Sequence, residues 1–446
     1  MTPLALLLSL IAPVTADPCG MVPPLNLDMG SQLQRDGAQR TYVMHSRGVE
    51  TMVLRPGFVG DVEHFGMLIP FPSVPAIRKI DDDTFAQIEA AIDPPQVQVH
   101  IYDPYMLYQE FDDMVLPSMP MARSEAEEGL AINEVNVVKE EAVGMYQVAV
   151  LEAGSPKALA RWMEDNGYRY PDGMDDVVGD YVQDKWCFVA VKAKVGGNQG
   201  AVPHPGMRSA PMERPAGSSF DGHVQGMGFR FTSEDPVVPM RLSVFNGEGP
   251  RNVVYMLAEQ PLTIQGADPG LVVRQRSGEE LYANLTTLLP LQFSGGTRKD
   301  ITQESLDGLA PLRDPTPYVG LARVLFASDL LAARTGTLAL EHEEAEKELL
   351  NISEALGLRG DDVDSLHRTE LTQQRELAVD GALEDIKEMH MSVIDGVLPT
   401  ELIAGQNLGF ERYEMPKAAN QRREDPIRPA APSTSVPRKD SGGGIF

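Results

Sequence analysis

The sequence predicts an α+β fold, with a mixed β-rich body that contains short helices and an acidic α-helical carboxy-terminal section. Three observations support this class. Short β-branched and alternating segments recur over the first two thirds of the chain, capped helical segments lie between them, and helical spacing with many acidic residues begins near residue 335. With 446 residues, 42% of them hydrophobic, the chain can bury sizeable cores.

The charge balance restricts the partners. The chain has 65 acidic and 38 basic residues, which gives a formal net charge of −27. Phosphates would be repelled by this charge at long range, so we expect no nucleic-acid partner. Beyond the amino terminus there is no uninterrupted apolar run of about 18 residues, so we expect no transmembrane span.

The first 16 residues have the pattern of a signal peptide. Leu4–Ile11 is an apolar run of signal-peptide length, and the small-residue pattern Val14–Ala16 follows it. A buried amino-terminal strand or helix is the alternative. The pattern predicts a mature chain that starts near Asp17 and is exported to the periplasm or the extracellular space.

The chain has two cysteines, Cys19 and Cys187, and both remain after the predicted cleavage. In an oxidising compartment, an even pair suggests one disulfide between them. The alternative is that Cys187 is a buried small hydrophobic residue.

A β-rich α+β domain is predicted over residues 17–195. Strands are predicted at 41–44 and 50–54 around a turn, and at 65–72, 97–102, 144–151 and 186–195. Helices are predicted at 84–92, 155–167 and 175–182. Ser155 is the expected N-cap of the second helix, Pro156 its first residue and Gly167 its stop signal.

Four further segments follow along the chain. Residues 196–228 are rich in Gly, Pro and Met and are interpreted as a linker or flap, and 229–334 as a second β-rich subdomain with strands at 240–245, 252–257 and 271–273. Residues 335–413 form the acidic helical section, in which Leu338–Leu356 and Val379–Val397 each show a stripe of helical spacing. Residues 414–446 are predicted to be a disordered tail.

Two histidines suggest a metal-site hypothesis. His342 and His390 lie within the two apolar stripes, Glu346 follows His342 by one helical turn, and Met389 and Met391 flank His390. Imidazole with carboxylate suits zinc, and imidazole with thioether suits copper. The alternative is a partly buried, hydrogen-bonded histidine among methionines that fill the core.

Several blocks of the sequence resemble one protein family. They are Asp17–Gly20, Phe65–Pro75, Val148–Ala153, Leu159–Tyr168, Trp186–Lys192 and Val238–Ser243. Together, over about residues 19–257, they resemble the bacterial domain of unknown function 2330 family. The resemblance implies an exported bacterial protein and supplies no catalytic residue.

The motifs of hydrolases, zinc proteases, nucleotide-binding proteins and dithiol oxidoreductases are missing from the sequence. We therefore predict a non-catalytic binding or structural protein of the cell envelope, with no cofactor. Its partner would be a protein or another cell-surface component. The alternatives are periplasmic handling of copper or zinc and an enzyme with no recognisable motif.

Overall fold

The computed structural model describes residues 15–16, 33–35, 38–55, 57–60, 64–81, 83–100, 135–143, 146–194, 220–223, 226–246, 251–266, 270–294, 302–338 and 377–415. The strands are β1 (Thr15–Ala16), β2 (Leu33–Arg35), β3 (Gln39–Ser46), β4 (Val49–Arg55), β5 (Gly57–Gly60), β6 (His64–Phe71), β7 (Ala76–Ile80), β8 (Val97–His100), β9 (Val135–Val143), β10 (Tyr146–Ala153), β11 (Cys187–Lys194), β12 (Phe220–His223), β13 (Gly226–Thr232), β14 (Val237–Val238), β15 (Asn252–Ala258), β16 (Leu262–Ile264), β17 (Val272–Ser277), β18 (Leu291–Ser294), β19 (His390–Gly396), β20 (Leu398–Pro399) and β21 (Leu408–Arg412). The α-helices are α1 (Thr84–Ile92), α2 (Pro156–Asp165), α3 (Met174–Gln183), α4 (Gly278–Thr286), α5 (Gln303–Gly308), α6 (Thr316–Thr335) and α7 (Thr400–Ala404). Short 3-10 helices cover Arg241–Asn246, Ala310–Arg313 and Glu384–Glu388, and residues 377–383 are helical.

A seven-stranded mixed sheet lies at the centre of the fold, in the order β17-β19-β15-β3-β4-β13-β7. β15 and β3 are parallel, and the other neighbouring strands are antiparallel. The chain turns between β3 and β4 at Arg47 and Gly48, whose φ angles are 52° and 75°. Two residues with positive φ are typical of a tight hairpin turn, and glycine adopts this conformation without a steric penalty. The predicted hairpin is confirmed.

The fold has four layers. A second, antiparallel sheet, in the order β6-β11-β10-β9, packs against one face of the large sheet and buries side chains such as Met52, Ile69 and Val189 between them. Helices α1, α4 and α6 cover the other face of the large sheet. Helices α2 and α3 cover the outer face of the second sheet. The predicted α+β class is confirmed.

Helix α2 shows how local signals determine an element. The Ser155 hydroxyl accepts a hydrogen bond from the Ala158 amide at 3.1 Å, and Pro156 occupies the first turn. Gly167 follows the helix with a φ of 80°. Cap, proline and glycine therefore have the positions that the sequence predicted.

The strand predicted over residues 240–245 is wrong, because Arg241–Asn246 is a 3-10 helix. Both the Ser243 amide and its hydroxyl donate to the Met240 carbonyl, at 2.8 and 2.6 Å. This local turn satisfies the backbone without a neighbouring strand. The alternating apolar residues of the segment are compatible with either structure.

The helical stripe predicted over Val379–Val397 is only partly correct. Residues 377–383 are helical and the 3-10 helix follows, but His390–Gly396 is strand β19 in the large sheet. Residues 391–395 of β19 are all buried. A strand buried on both faces lacks the period-two alternation that would have identified it.

The other predicted segments are described in part. Residues 220–223 and 226–228, within the predicted linker, are strand, while 196–219 lie outside the described residues. Thr15 and Ala16 of the predicted signal peptide pair with Pro399 and Leu398, and residues 1–14 and 416–446 also lie outside. The strands of the large sheet come from three of the predicted segments, 17–195, 229–334 and 335–413. The boundaries of these segments as separate folding units stay predictions. Among the described helices, none has the length and apolar character needed to cross a bilayer.

Candidate functional site

A charged cluster, the Asp329 cluster, is buried between α6 and the large sheet. One oxygen of the fully buried Asp329 carboxylate accepts from Thr51 Oγ1 at 2.9 Å and from Arg230 Nη2 at 2.7 Å. The other accepts from the Tyr42 hydroxyl at 3.2 Å, and Arg78 Nη2 lies 3.6 Å from the first oxygen. Groups from four strands thus surround one carboxylate.

The cluster arises from ordinary helix and strand periodicity. Asp329 lies in the buried stripe of α6 with Phe326 and Ala333. Along β13, Arg230 points to the helical face because Phe229 and Phe231 point between the two sheets. Arg230 is 3% exposed, so both charges are desolvated and depend on each other. We assign the cluster a structural role because its central pair, Asp329 and Arg230, is closed to solvent.

An open cleft of about 300 Å³ lies on the same face of the large sheet, at the carboxyl end of α1. The described residues that line it are Glu89, Ala90, Ile92, Asp93, Pro95, Tyr255, Arg274 and Tyr318. These side chains come from α1 and the segment after it, from β15 and β17, and from the first turn of α6. The Tyr318 residue is 46% exposed. Ligand pockets commonly combine apolar walls of this kind with a few polar groups, at volumes of roughly 300–1,000 Å³.

Tyr255 supplies the buried hydroxyl of this cleft. The hydroxyl donates to the Glu89 carboxylate, and the accepting oxygen lies 3.7 Å from Arg40 Nε. Burial and then the charge of Glu89 raise the pKa of Tyr255 well above its ordinary value, while Arg40 and Arg274 lower it. Tyr255 therefore stays protonated and acts as a hydrogen-bond donor.

The end of α1 beside the cleft has its carbonyls capped by side chains. Arg276 Nε donates to the Ile92 carbonyl at 3.2 Å, and Asn284 Nδ2 donates to the Ala91 carbonyl at 2.9 Å. These bonds satisfy acceptors that a helix end leaves open. They also fix α1 to β17 and α4, so the wall of the cleft is held in place.

Another buried carboxyl group, that of Glu50, lies on the opposite face of the large sheet. One oxygen accepts from the Val237 amide at 3.1 Å, and the other is buried without a hydrogen-bond partner in the part of the chain that the structure describes. Burial raises the pKa of Glu50 well above its ordinary value. The geometry favours a protonated carboxyl group.

Of the predicted disulfide pair, Cys187 is described and Cys19 is not. Cys187 is a buried thiol whose sulfur lies 3.3 Å from the Ser73 carbonyl and 3.6 Å from the Phe71 carbonyl. Burial raises the pKa of this thiol to about 12. The disulfide stays a prediction.

Of the predicted histidine and glutamate ligands of the metal, only His390 is described. It begins β19 rather than lying in a helix, and its Nδ1 is buried without a hydrogen-bond partner in the described part of the chain. His342 and Glu346 lie outside the described residues. Within the described ranges, no three His, Cys, Asp or Glu side chains converge as a metal site requires.

The sequence interpretation missed the residues of both charged sites. Tyr255 and Glu89 are 166 positions apart, and Arg230 and Asp329 are 99 apart. The one available signal was a charged residue in an otherwise apolar pattern, as for Asp329 in α6. Such a residue indicates a buried partner without identifying it.

Comparisons with known proteins place the chain in a family without assigning an activity. No curated protein matches the chain. Among solved structures, the crystal structure of baculovirus P35 matches with a TM-score of 0.23 and 9% identity, covering 56% of this chain and 76% of that chain, which carries no argument about fold or function. The model of a family described as an uncharacterized protein conserved in bacteria (DUF2330) matches residues 18–333. That match spans more than half of the sequence, and the chain belongs to this family.

Proposed function

We propose that this protein is an exported, non-catalytic binding protein of the bacterial cell envelope, and that the cleft at the end of α1 is its ligand site. The open cleft is the observation that carries the proposal. Tyr255 and Arg274 supply polar contacts at its base, and the half-exposed ring of Tyr318 supplies an apolar contact at its rim. Such groups support reversible binding through hydrogen bonds, charge and apolar surface.

The packing beneath the cleft supports a site that is formed before the ligand arrives. Phe85 and Ile88 anchor α1 in the core on the helical face, and the ring centroids of Phe85 and Tyr255 are 6.0 Å apart. α6 packs against the same core through Val319, next to Tyr318. A rigid lining reduces the ordering cost of binding.

Binding is tested by filling the cleft. Ala90 lies in the lining, and we expect Ala90→Trp to occupy its volume, whereas Ala86→Trp on the exposed side of the same helix leaves it open. Each full-length variant is purified from whole bacterial cells, and native mass spectrometry detects co-purified ligand. We expect bound mass in the wild type and in Ala86→Trp, and none in Ala90→Trp. Unliganded wild type, or equal occupancy in both variants, would contradict the proposal.

Export is tested separately. The uncharged run Leu4–Ile11 and the small residues up to Ala16 support it. Mass spectrometry of protein from fractionated cells is expected to find a chain that begins at Asp17 outside the cytoplasm. A chain that begins at Met1 and remains in the cytosol would contradict export and leave the cleft experiment unaffected.

A further inference from the structure

Arg274 lies at the edge of the large sheet and reaches into the cleft. It pairs with Val393 on β19, and Val393 pairs with Tyr255 on β15, so the three side chains form one row on the helical face. Two strand spacings separate Arg274 from Tyr255, about 10 Å between backbones. The guanidinium lies close enough to lower the pKa of the Tyr255 hydroxyl.

This guanidinium differs from its neighbours because it has no hydrogen-bond or ion-pair partner among the described residues. Arg276, two residues further along β17, donates to the Ile92 carbonyl, and Arg40 is paired with Glu89. Arg274 is half-buried, and no hydrogen bond or ion pair joins it to another side chain or carbonyl within the described ranges. A half-buried cation without a partner is unfavourable, and an anionic ligand group would relieve this cost.

The rest of the lining limits the ligand to one negative charge. Glu89 already shares its charge with Arg40 and the Tyr255 hydroxyl, and Asp93 adds a second carboxylate to the lining. A ligand with a second anionic group would be repelled by these carboxylates. The Ile92 carbonyl is occupied by Arg276, so it does not point a bare acceptor at the ligand.

The remaining walls are apolar. Ala90, Ile92 and Pro95 line one side and the ring of Tyr318 lies at the rim. An aliphatic or aromatic body of small size fits these walls within about 300 Å³. Arginine presents two parallel N–H donors that match a carboxylate.

We propose that the cleft binds small organic monocarboxylates, with the carboxylate on Arg274 and the apolar body against Tyr318 and Pro95. This inference rests on the proposed function, since it assigns a ligand class to the same cleft.

The test uses three probes on the full chain: 4-phenylbutyrate, its uncharged amide, and the dicarboxylate phenylsuccinate. Affinities are measured by ligand-observed NMR titration. We expect 4-phenylbutyrate to bind at least about tenfold more tightly than the other two, because only it satisfies Arg274 without adding a second charge. Added salt should weaken its binding.

The matched variants are Arg274→Gln and, as a control, Arg412→Gln, whose side chain is 65% exposed on β21. We expect Arg274→Gln to abolish the preference for carboxylate over amide and Arg412→Gln to retain it. Equal binding of acid and amide to the wild type, no binding of either, or an unchanged preference in Arg274→Gln would overturn the inference.

The outcome is distinguishable from failure of the proposed function. If Ala90→Trp removes the native ligand but the acid shows no preference over the amide, the cleft binds a ligand of another class. If Ala90→Trp leaves native occupancy unchanged, the cleft itself is the wrong site.

Discussion

Two neighbouring tyrosines on the large sheet have the same chemistry and different surroundings. Tyr42 on β3 and Tyr255 on β15 are direct partners in the parallel pair, and each donates its hydroxyl to a carboxylate that lies beside an arginine. The acceptor of Tyr42 is Asp329, whose side chain is 0% exposed, whereas Glu89, the acceptor of Tyr255, is 30% exposed. Helix α6 closes the first site, and the second lies in the cleft.

This difference indicates what each arrangement is suited to do. In the closed site, water cannot replace the partner of Asp329 or Arg230, so breaking this pair strongly destabilises the folded protein. In the cleft, water or a ligand can replace any protein partner, so the same groups remain available for binding. Access to solvent, rather than residue type, separates the structural site from the candidate functional site.

The largest expected effect is at the closed site. Replacing Asp329 by Asn removes the carboxylate that pairs with Arg230 and leaves that guanidinium buried and uncompensated. We expect the free energy of unfolding to fall by about 3–5 kcal/mol in urea denaturation. The double variant Asp329→Leu with Arg230→Met should recover part of this loss.

The matched change in the cleft is Glu89→Gln, which should lower the free energy of unfolding by no more than about 1 kcal/mol because water can reach both Glu89 and Arg40. Similar losses of unfolding free energy for Asp329→Asn and Glu89→Gln would contradict the distinction between the closed site and the cleft.

Removing the hydroxyl of Tyr42 or of Tyr255 should have a smaller effect on stability and should show the same difference between the two sites. Tyr42→Phe keeps the ring against Phe326 but leaves Asp329 without one of its donors. We expect it to lower the free energy of unfolding by about 1–2 kcal/mol, and Tyr255→Phe by less, because Glu89 can accept from water instead. Urea denaturation of both variants checks the order, and the reverse order would contradict it.

Glu50 is a further buried carboxyl group, and among the described residues it accepts one hydrogen bond, from the Val237 amide. Its pKa is raised in the folded protein, so the unfolded chain releases this proton at a lower pH than the folded protein does. The Glu50 contribution to stability is therefore complete at acid pH and falls as the pH rises from the ordinary glutamate pKa towards the raised value. We expect Glu50→Gln to be more stable than the wild type at neutral pH.

Below the ordinary glutamate pKa this advantage should disappear, because Glu50 is then protonated in both states. Thermal unfolding of both proteins across the pH range checks the expectation. A difference that stays constant with pH would show that Glu50 does not titrate as its burial implies.

Local signals allowed much of the fold to be predicted from the sequence. The hairpin turn at Arg47 and Gly48 and the cap at Ser155 depend on a few adjacent residues, so reading them requires no knowledge of the tertiary structure. One of the segments predicted wrongly depends on distant neighbours. Strand β19 lies between β17 and β15 in the large sheet, and both of its faces are buried. Its sequence therefore lacks the alternation of a half-exposed strand and resembles the apolar stripe of a helix.

The candidate site could not be predicted in the same way. Glu89, Tyr255, Arg274 and Tyr318 come from four elements, and each has an ordinary local context in the sequence. Strand register aligns Arg274 with Tyr255, and packing brings α1 over both. Neither register nor packing is encoded by residue spacing within one element.

The contrast between Arg274 in the open cleft and Arg230 in the buried Asp329 cluster is tested most directly by chemical labelling. Phenylglyoxal modifies accessible arginines, and mass spectrometry of the digested full-length protein gives the labelling rate at each position. We predict that Arg274 is labelled in the native protein and is protected by 4-phenylbutyrate, while Arg230, which is 3% exposed, is labelled only after unfolding. Equal labelling rates at Arg274 and Arg230, or no protection of Arg274, would contradict the distinction between an accessible binding cleft and a sealed structural cluster.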